Sequence, residues 1–195
     1  LCLLGMACLF SAAWADDAGA APAANPWKGE ASLGYTKSSG NTNNAQLATS
    51  AKAERATEKN TWTLKAGTFY SSTNKKMDAQ KYYGGLRYSF NFGKEKRWYN
   101  FYGVEAEHDR FANIDHRVIA STGPGYWFSR TDDFKAQAEL GFGVQYTNYR
   151  NGSKSETEPV LVPHAYLEKR VFEKARLSED ITLYPSLKNS GEYRM

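Results

Sequence analysis

Residues 134–147 read FKAQAELGFGVQYT, and this stretch decides the fold. Phe134, Ala136, Ala138, Leu140, Phe142, Val144 and Tyr146 alternate with Lys135, Gln137, Glu139, Gly141, Gly143, Gln145 and Thr147. A period of two is the spacing of a β-strand with two different faces. The run spans 134–147, while a strand in a soluble domain is usually nearer ~5–6 residues. Working outward, the same period recurs from Trp27 onward, and helical patterning is absent after residue 26. It predicts strands over 27–38, 44–56, 61–71, 79–90, 98–108, 116–129, 133–147, 158–171 and 175–187. Pro124, Pro163 and Pro185 fall inside these strands, where each costs a ladder hydrogen bond and marks a bulge or a strand end.

The connections predict a barrel. Loops at 38–44, 71–78, 108–116 and 148–158 alternate with short turns at 57–60, 130–132 and 172–174, with 91–97 intermediate. Long loops at one rim and short turns at the other are the asymmetry of an up-and-down outer-membrane barrel. The expected class is all-β: an antiparallel up-and-down transmembrane β-barrel. Nine strands are odd, whereas bacterial single-chain barrels have even numbers of strands, and a lipid-exposed sheet must close to leave no edge. The chain starts at Leu1 and stops inside what reads as a further strand, so the expectation is a piece lacking its first residues and its last strands.

Composition narrows the rest. Lys and Arg number 25 against 21 Asp and Glu, a balance too mild for nucleic acid, which needs a clustered basic face. Both cysteines, Cys2 and Cys8, precede the strands, so no disulfide framework or cysteine metal site is possible there. The mean hydropathy of −0.65 fits strands that carry a polar residue at every second position. The one long apolar run lies in residues 1–14 and is too short to span a bilayer as a helix. Ala13-Trp14-Ala15 followed by Asp16 has the form of a leader-peptidase site, so residues 1–15 read as a signal peptide. A lipoprotein site at Cys8 fits less well, because Gly5 sits where Leu is expected. Residues 16–26 read as a flexible lead-in and 27–195 as the barrel.

The motifs, taken in order, resemble those of a known family. Trp27-Lys28-Gly29 leads to Gly34-Tyr35 and then to Ser39-Gly40-Asn41-Thr42. His108-Asp109-Arg110-Phe111, Ile114-Asp115-His116-Arg117 and Gly123-Pro124-Gly125-Tyr126 follow, with Leu177-Ser178 before the ninth strand. This set resembles the uncharacterised outer-membrane family that contains the salt-induced outer membrane protein. The resemblance covers Trp27 to about Tyr193. It implies a barrel of about twelve strands ending in an aromatic residue, and a salt-induced or envelope-stress role. That family has no settled molecular activity.

If the apolar set faces lipid, Arg87, Glu105, Arg117 and Glu139 point inward on four consecutive strands. Charges so placed are costly unless paired, so they predict an internal ion-pair network, with a selectivity ring for a small solute as the alternative. The expected pairs are Arg87 with Glu105, and Arg117 with Glu105 or Glu139. Gly84, Gly103, Gly123, Gly125, Gly141 and Gly143 read as bends that admit bulky neighbours. Ser39-Gly40-Asn41-Thr42 and Asn151-Gly152 read as turns. His108, Asp109, Asp115 and His116 flank one loop without a standard metal spacing, and no cofactor is indicated. Ser121 with His116 or His108 is the one nucleophile–base set that a lipid-modifying enzyme would use. Trp62, Tyr70, Tyr82, Tyr88, Phe90, Trp98, Tyr126, Phe128, Phe134 and Tyr146 gather near strand ends as two aromatic girdles.

The reading that follows is a bacterial outer-membrane barrel of structural, envelope-stress or narrow-pore role. Its partners would be outer-membrane lipid and the barrel-assembly machinery; no nucleic acid and no other protein partner is indicated. The rivals are an outer-membrane lipid-modifying enzyme and a soluble periplasmic β-barrel that binds a ligand.

Overall fold

The computed structural model describes residues 10–11, 27–40, 42–93, 95–172 and 175–188. They form one antiparallel sheet in which every strand pairs with its neighbours in sequence, curved into a half-barrel. The strands are β1 (Phe10–Ser11), β2 (Lys28–Ser38), β3 (Asn44–Ala56), β4 (Asn60–Thr73), β5 (Lys76–Phe92), β6 (Trp98–Asp109), β7 (Ile114–Arg130), β8 (Phe134–Tyr149), β9 (Glu156–Phe172) and β10 (Ala175–Thr182). The all-β up-and-down architecture read from the period of two is the one observed. Of the expected leader, Phe10–Ser11 pairs with Ser32 and Leu33; the rest of 1–15 and all of 16–26 lie outside the described residues.

β5, β7 and β9 each run for 17 residues. At ~3.3 Å per residue such a strand is about 55 Å long, well beyond a soluble sheet's usual ~17–20 Å. The strands also reach further into the connections than the sequence predicted. The segment 71–78 is not a loop: β4 and β5 join through Asn74 and Lys75 alone, both at positive φ (52° and 64°). That is the backbone of a two-residue hairpin turn whose twist matches the strands it joins. Its flanks read as loop because they are polar. Ser71 and Thr73 both donate to Asp78 across the hairpin, so hydroxyls replace apolar contacts there. The loop expected at 108–116 likewise shrinks to 110–113, closed by Asn113 at φ 62°. With these two hairpins tightened, the rim carrying 39–43, 74–75, 110–113 and 150–155 is barely longer than the rim carrying 57–59, 93–97, 131–133 and 173–174. The loop-length asymmetry does not survive, and the barrel rests on the two faces instead.

β6 shows those faces most plainly. Tyr99 and Phe101 are 2% and 1% exposed, whereas Tyr102 and Val104 are 56% and 48% exposed. The buried pair lies on the concave side, against the glycines of β7 and β8. A Cβ on Gly125 would fall 2.3 Å from Tyr99 Cζ, and one on Gly141 would fall 2.7 Å from Phe101 Cζ. The bare glycine backbones are what let these rings lie flat across the next strands. Gly123 is tighter still, because its Cβ would meet backbone, Leu140 O at 2.4 Å and Gly141 Cα at 2.5 Å. In the same stretch the β7–β8 pairing lapses between Thr122↔Phe142 and Gly125↔Glu139, beside Pro124. We expect Gly123→Ala to cost about 1–3 kcal/mol in unfolding free energy, since neither backbone can step aside. Gly84→Ala, whose nearest neighbour is Lys65 O at 3.7 Å, is the control and stays within ~0.5 kcal/mol of the parent. Equal losses for the two would show that close strand approach is not what Gly123 supplies.

The concave face is therefore not uniformly polar, as strict alternation predicts. Ile119, Val160 and Val162 form a buried cluster there with Tyr184 against it.

Candidate functional site

The charged side chains of the concave face come from positions of one parity on β4 to β10, so the register of the sheet assembles them. Arg87 from β5, Glu105 from β6, Arg117 from β7 and Glu139 from β8 all lie on this face, but their partners differ from those expected. Arg87 bonds Glu139, three strands away, rather than Glu105. The residue across from Arg87 on β6 is Gly103, followed on β7 by Ser121 and on β8 by Gly143. This strip of small residues leaves the guanidinium free to extend inward, and the curvature of the sheet brings β8 toward it. It lies 4.2 Å above the Phe101 ring on the way. Arg117 bonds Glu107 at 2.6 Å, and Arg117 Nε donates to Thr147 Oγ1 at 3.2 Å. Glu107 and Arg117 are direct cross-strand partners in the β6–β7 register that runs unbroken from Trp98↔Tyr126, and the register shifts only beyond them, before Asp109↔Ile114. Glu105 takes Lys65 at 2.9 Å and the Tyr184 hydroxyl at 2.7 Å instead.

Two clusters result. The first centres on Glu139, whose side chain is 1% exposed. Its Oε1 accepts from Arg87 and, at 2.6 Å, from Tyr99 Oη. Its Oε2 lies 3.1 Å from His164 Nδ1, close enough for an ion pair though not aligned as a hydrogen bond. His164 Nε2 in turn lies 2.9 Å from Asp180 Oδ1. The chain Arg87–Glu139–His164–Asp180 thus ties β5, β8, β9 and β10 together through side chains. The second cluster is more open. It sets Lys65, Lys81 and Arg117 against Glu105 and Glu107 around a hollow of about 250 Å³ that Phe69, Tyr83 and Ile119 also line. Sequence reasoning missed Tyr99, Lys65, Lys81, Glu107, His164 and Asp180. All but Tyr99 carried the needed signal, a charged or titratable side chain at inward parity. At the rim that carries 57–59, Lys96 Nζ lies 2.8 Å from Glu58, and this bonding and charge hold the Glu58 carboxyl below its ordinary range.

The remaining candidates have structural places. Ser121 is on the concave face, while His108 and His116 sit by Tyr82 and Tyr146 on the other, with ring centroids at 5.9 and 5.6 Å. The nucleophile–base set is not assembled. Asp109 Oδ1 accepts from the backbone N–H of Phe111 at 3.1 Å and Ala112 at 3.0 Å, which shapes the turn before Asn113. His108 Nδ1 and His116 Nδ1 both turn to Asp115. Among the described residues, no three His, Cys, Asp or Glu side chains are arranged to hold a metal. Tyr126 packs between Trp98 and Phe128 on the convex face. Trp27 precedes β2 and is 51% exposed, and Gly29 is the second residue of that strand, with room for a Cβ. Ser39, Gly40 and Thr42 join β2 to β3, whereas Asn41 lies outside the described residues.

A single meander, bent into a half-barrel with an apolar convex face and ion pairs inside, defines a protein of the up-and-down β-barrel class. Residues 31–195 match the family described as "Protein of unknown function, DUF481", and the chain belongs to that family. It is similar to "Uncharacterized protein YdiY" of Escherichia coli (strain K12), with 25% identity over 164 residues. The similarity takes in 84% of this chain and 64% of that protein, so the chain spans less than two thirds of its relative's length. No solved structure matches the chain significantly.

Proposed function

We propose that this chain forms much of the wall of an integral outer-membrane β-barrel, exported through a cleaved leader, with a structural or narrow-pore role. One observation carries the reading: the apolar belt on the convex face. Along β5 it runs from Tyr82 to Phe92, which are 46% and 43% exposed. At ~3.3 Å per residue and a tilt of ~40° this belt is about 25 Å tall, the height of the lipid-facing band of such barrels. Aromatic rings mark its borders. Trp98–Tyr126 and Tyr126–Phe128 pack at 4.8 and 5.2 Å toward the rim of 57–59 and 131–133, and Tyr82–His108 and His116–Tyr146 pack toward the other rim. Between them Leu64, Leu86, Val104, Ala120 and Val144 form one continuous row across β4 to β8. A soluble protein rarely exposes an apolar face of that extent.

Cell fractionation tests the location. The mature protein is expected in the outer-membrane fraction, solubilised only by detergent, with an electrophoretic mobility that changes on boiling. Release into the periplasm without detergent would sink the reading and favour the soluble ligand-binding rival. The packing of Tyr99, Phe101, Arg87 and His164 around Glu139 favours a constricted interior, so planar bilayers should show small conductance steps or none. Large porin-like steps would overturn that part. Ser121 and the two histidines lie on opposite faces, which favours a non-catalytic role. The salt-linked role is proposed from the family resemblance alone, and protein levels after a salt upshift test it.

A further inference from the structure

β10 is shorter than the sequence predicted, ending at Thr182 rather than at residue 187, and the cause is chemical. The register Thr182↔His164 continues unbroken through Val160↔Ser186. The hydrogen bonds do not keep pace. Leu183 N donates to Pro163 O at 3.0 Å, Leu161 N to Pro185 O at 3.1 Å, and Leu187 N to Pro159 O at 3.0 Å. Each of these pairs should exchange two bonds, and each contains one proline, which has no N–H to return. Three successive pairs are therefore held by one bond apiece. The only other proline among the described residues is Pro124, so no other seam of the sheet is weakened in this repeated way.

Side chains on the concave face hold the seam in place of the missing bonds. Ser186 Oγ donates to Glu158 at 2.6 Å, Tyr184 Oη to Glu105 at 2.7 Å, and Asp180 pairs with His164. Directly behind the seam sits the buried apolar cluster of the concave face, Ile119, Val160 and Val162 with Tyr184. Ile119 also lines the hollow that holds Lys65, Lys81 and Arg117. An opening here would join the lipid to an apolar surface whose far edge sets three cations, Lys65, Lys81 and Arg117, against two carboxylates, Glu105 and Glu107, an arrangement suited to an acyl chain with an anionic head.

We propose that the seam between β9 and residues 183–187 is a lateral opening in the barrel wall, through which an anionic single-chain amphiphile passes between the bilayer and the interior. The proposal rests on the outer-membrane reading above. One ladder bond per pair makes this stretch cheaper to open than the fully bonded stretches among the described residues, and the cluster of Ile119, Val160 and Val162 offers an acyl chain an apolar surface on the concave side.

The test uses the complete protein in phospholipid vesicles with a photoactivatable palmitic acid. Val160→Cys with Ser186→Cys places two thiols at a non-hydrogen-bonded pair, where Cα atoms approach closely enough for a disulfide. In the reduced protein the probe is expected to label both convex Val104 and concave Ile119. Oxidation should cut Ile119 labelling at least about fivefold and leave Val104 unchanged, because local opening is then blocked. Replacing Pro159, Pro163 and Pro185 by Val restores the donors and should lower Ile119 labelling without any cross-link. Ile119 labelling that is absent, or equal in the oxidised and reduced protein, overturns the lateral opening alone. Absence of label at Val104 overturns the membrane reading and the opening with it.

Discussion

Replacing Glu139 by Ala is expected to lower the unfolding free energy by about 3–5 kcal/mol, the cost of leaving buried charges without their partner. The carboxylate is 1% exposed and serves Arg87, Tyr99 and His164 at once, so its loss leaves the Arg87 guanidinium without its carboxylate and leaves the Tyr99 hydroxyl with Gln137 alone, at 3.1 Å. The effect is read as the shift of the urea unfolding midpoint in detergent, followed by tryptophan fluorescence. Two companions separate the charge from the shape. Glu139→Gln keeps the volume and an acceptor for Tyr99 but leaves Arg87 unpaired, so it should retain part of the loss. Arg87→Met combined with Glu139→Leu removes both charges and should recover most of the stability, because a buried pair is worth little against a well-packed apolar isostere. A Glu139→Ala protein within about 1 kcal/mol of the parent would show that water reaches this cluster and that the interior is wide.

That outcome depends on contacts only partly legible in the sequence. The period of two located all nine long strands, since alternation is a local property and survives whatever the chain packs against. Inward placement of Arg87, Glu105, Arg117 and Glu139 followed from the same parity. Their partners did not follow, for two reasons. Arg87 reaches Glu139 because the sheet curves, and curvature comes from the joint effect of Gly123, Gly125, Gly141 and the rings laid over them. Arg117 reaches Glu107 because the two face each other directly across β6 and β7, and alternation gives a residue's face but not the residue opposite it on the next strand. Tyr99 and Phe101 were hidden for a different reason: a ring on the inner face has the sequence signature of one on the outer face. The hairpin at Asn74 and Lys75 was hidden because Ser71, Thr73 and Asp78 satisfy one another instead of burying apolar surface. The prolines of the β9 seam stood in plain view, but their effect depends on which edge of β9 their missing N–H groups face, and that is settled by register alone.

The second large effect tests the face that the sequence did display. Val104→Arg is expected to cost about 2–4 kcal/mol if the proposed bilayer covers the convex face, because Val104 lies near the middle of the apolar belt and a cation in lipid there has neither water nor a counter-ion. It sits between Leu86 on β5 and Ala120 on β7 in the aliphatic row, and is 48% exposed. Asn148→Arg, at the loop end of β8 and beyond the belt, should cost no more than about 1 kcal/mol, since a lipid-facing charge becomes cheap at the interface. The two values are compared by reversible urea unfolding into and out of phospholipid vesicles. The contrast discriminates sharply between environments. If water wets the convex face, Val104→Arg adds a charge to an exposed strand position and changes stability by no more than about 0.5 kcal/mol. Depth dependence is the signature of a bilayer, so equal small costs at Val104 and Asn148 would remove the membrane from the account while leaving the half-barrel and its ion pairs standing.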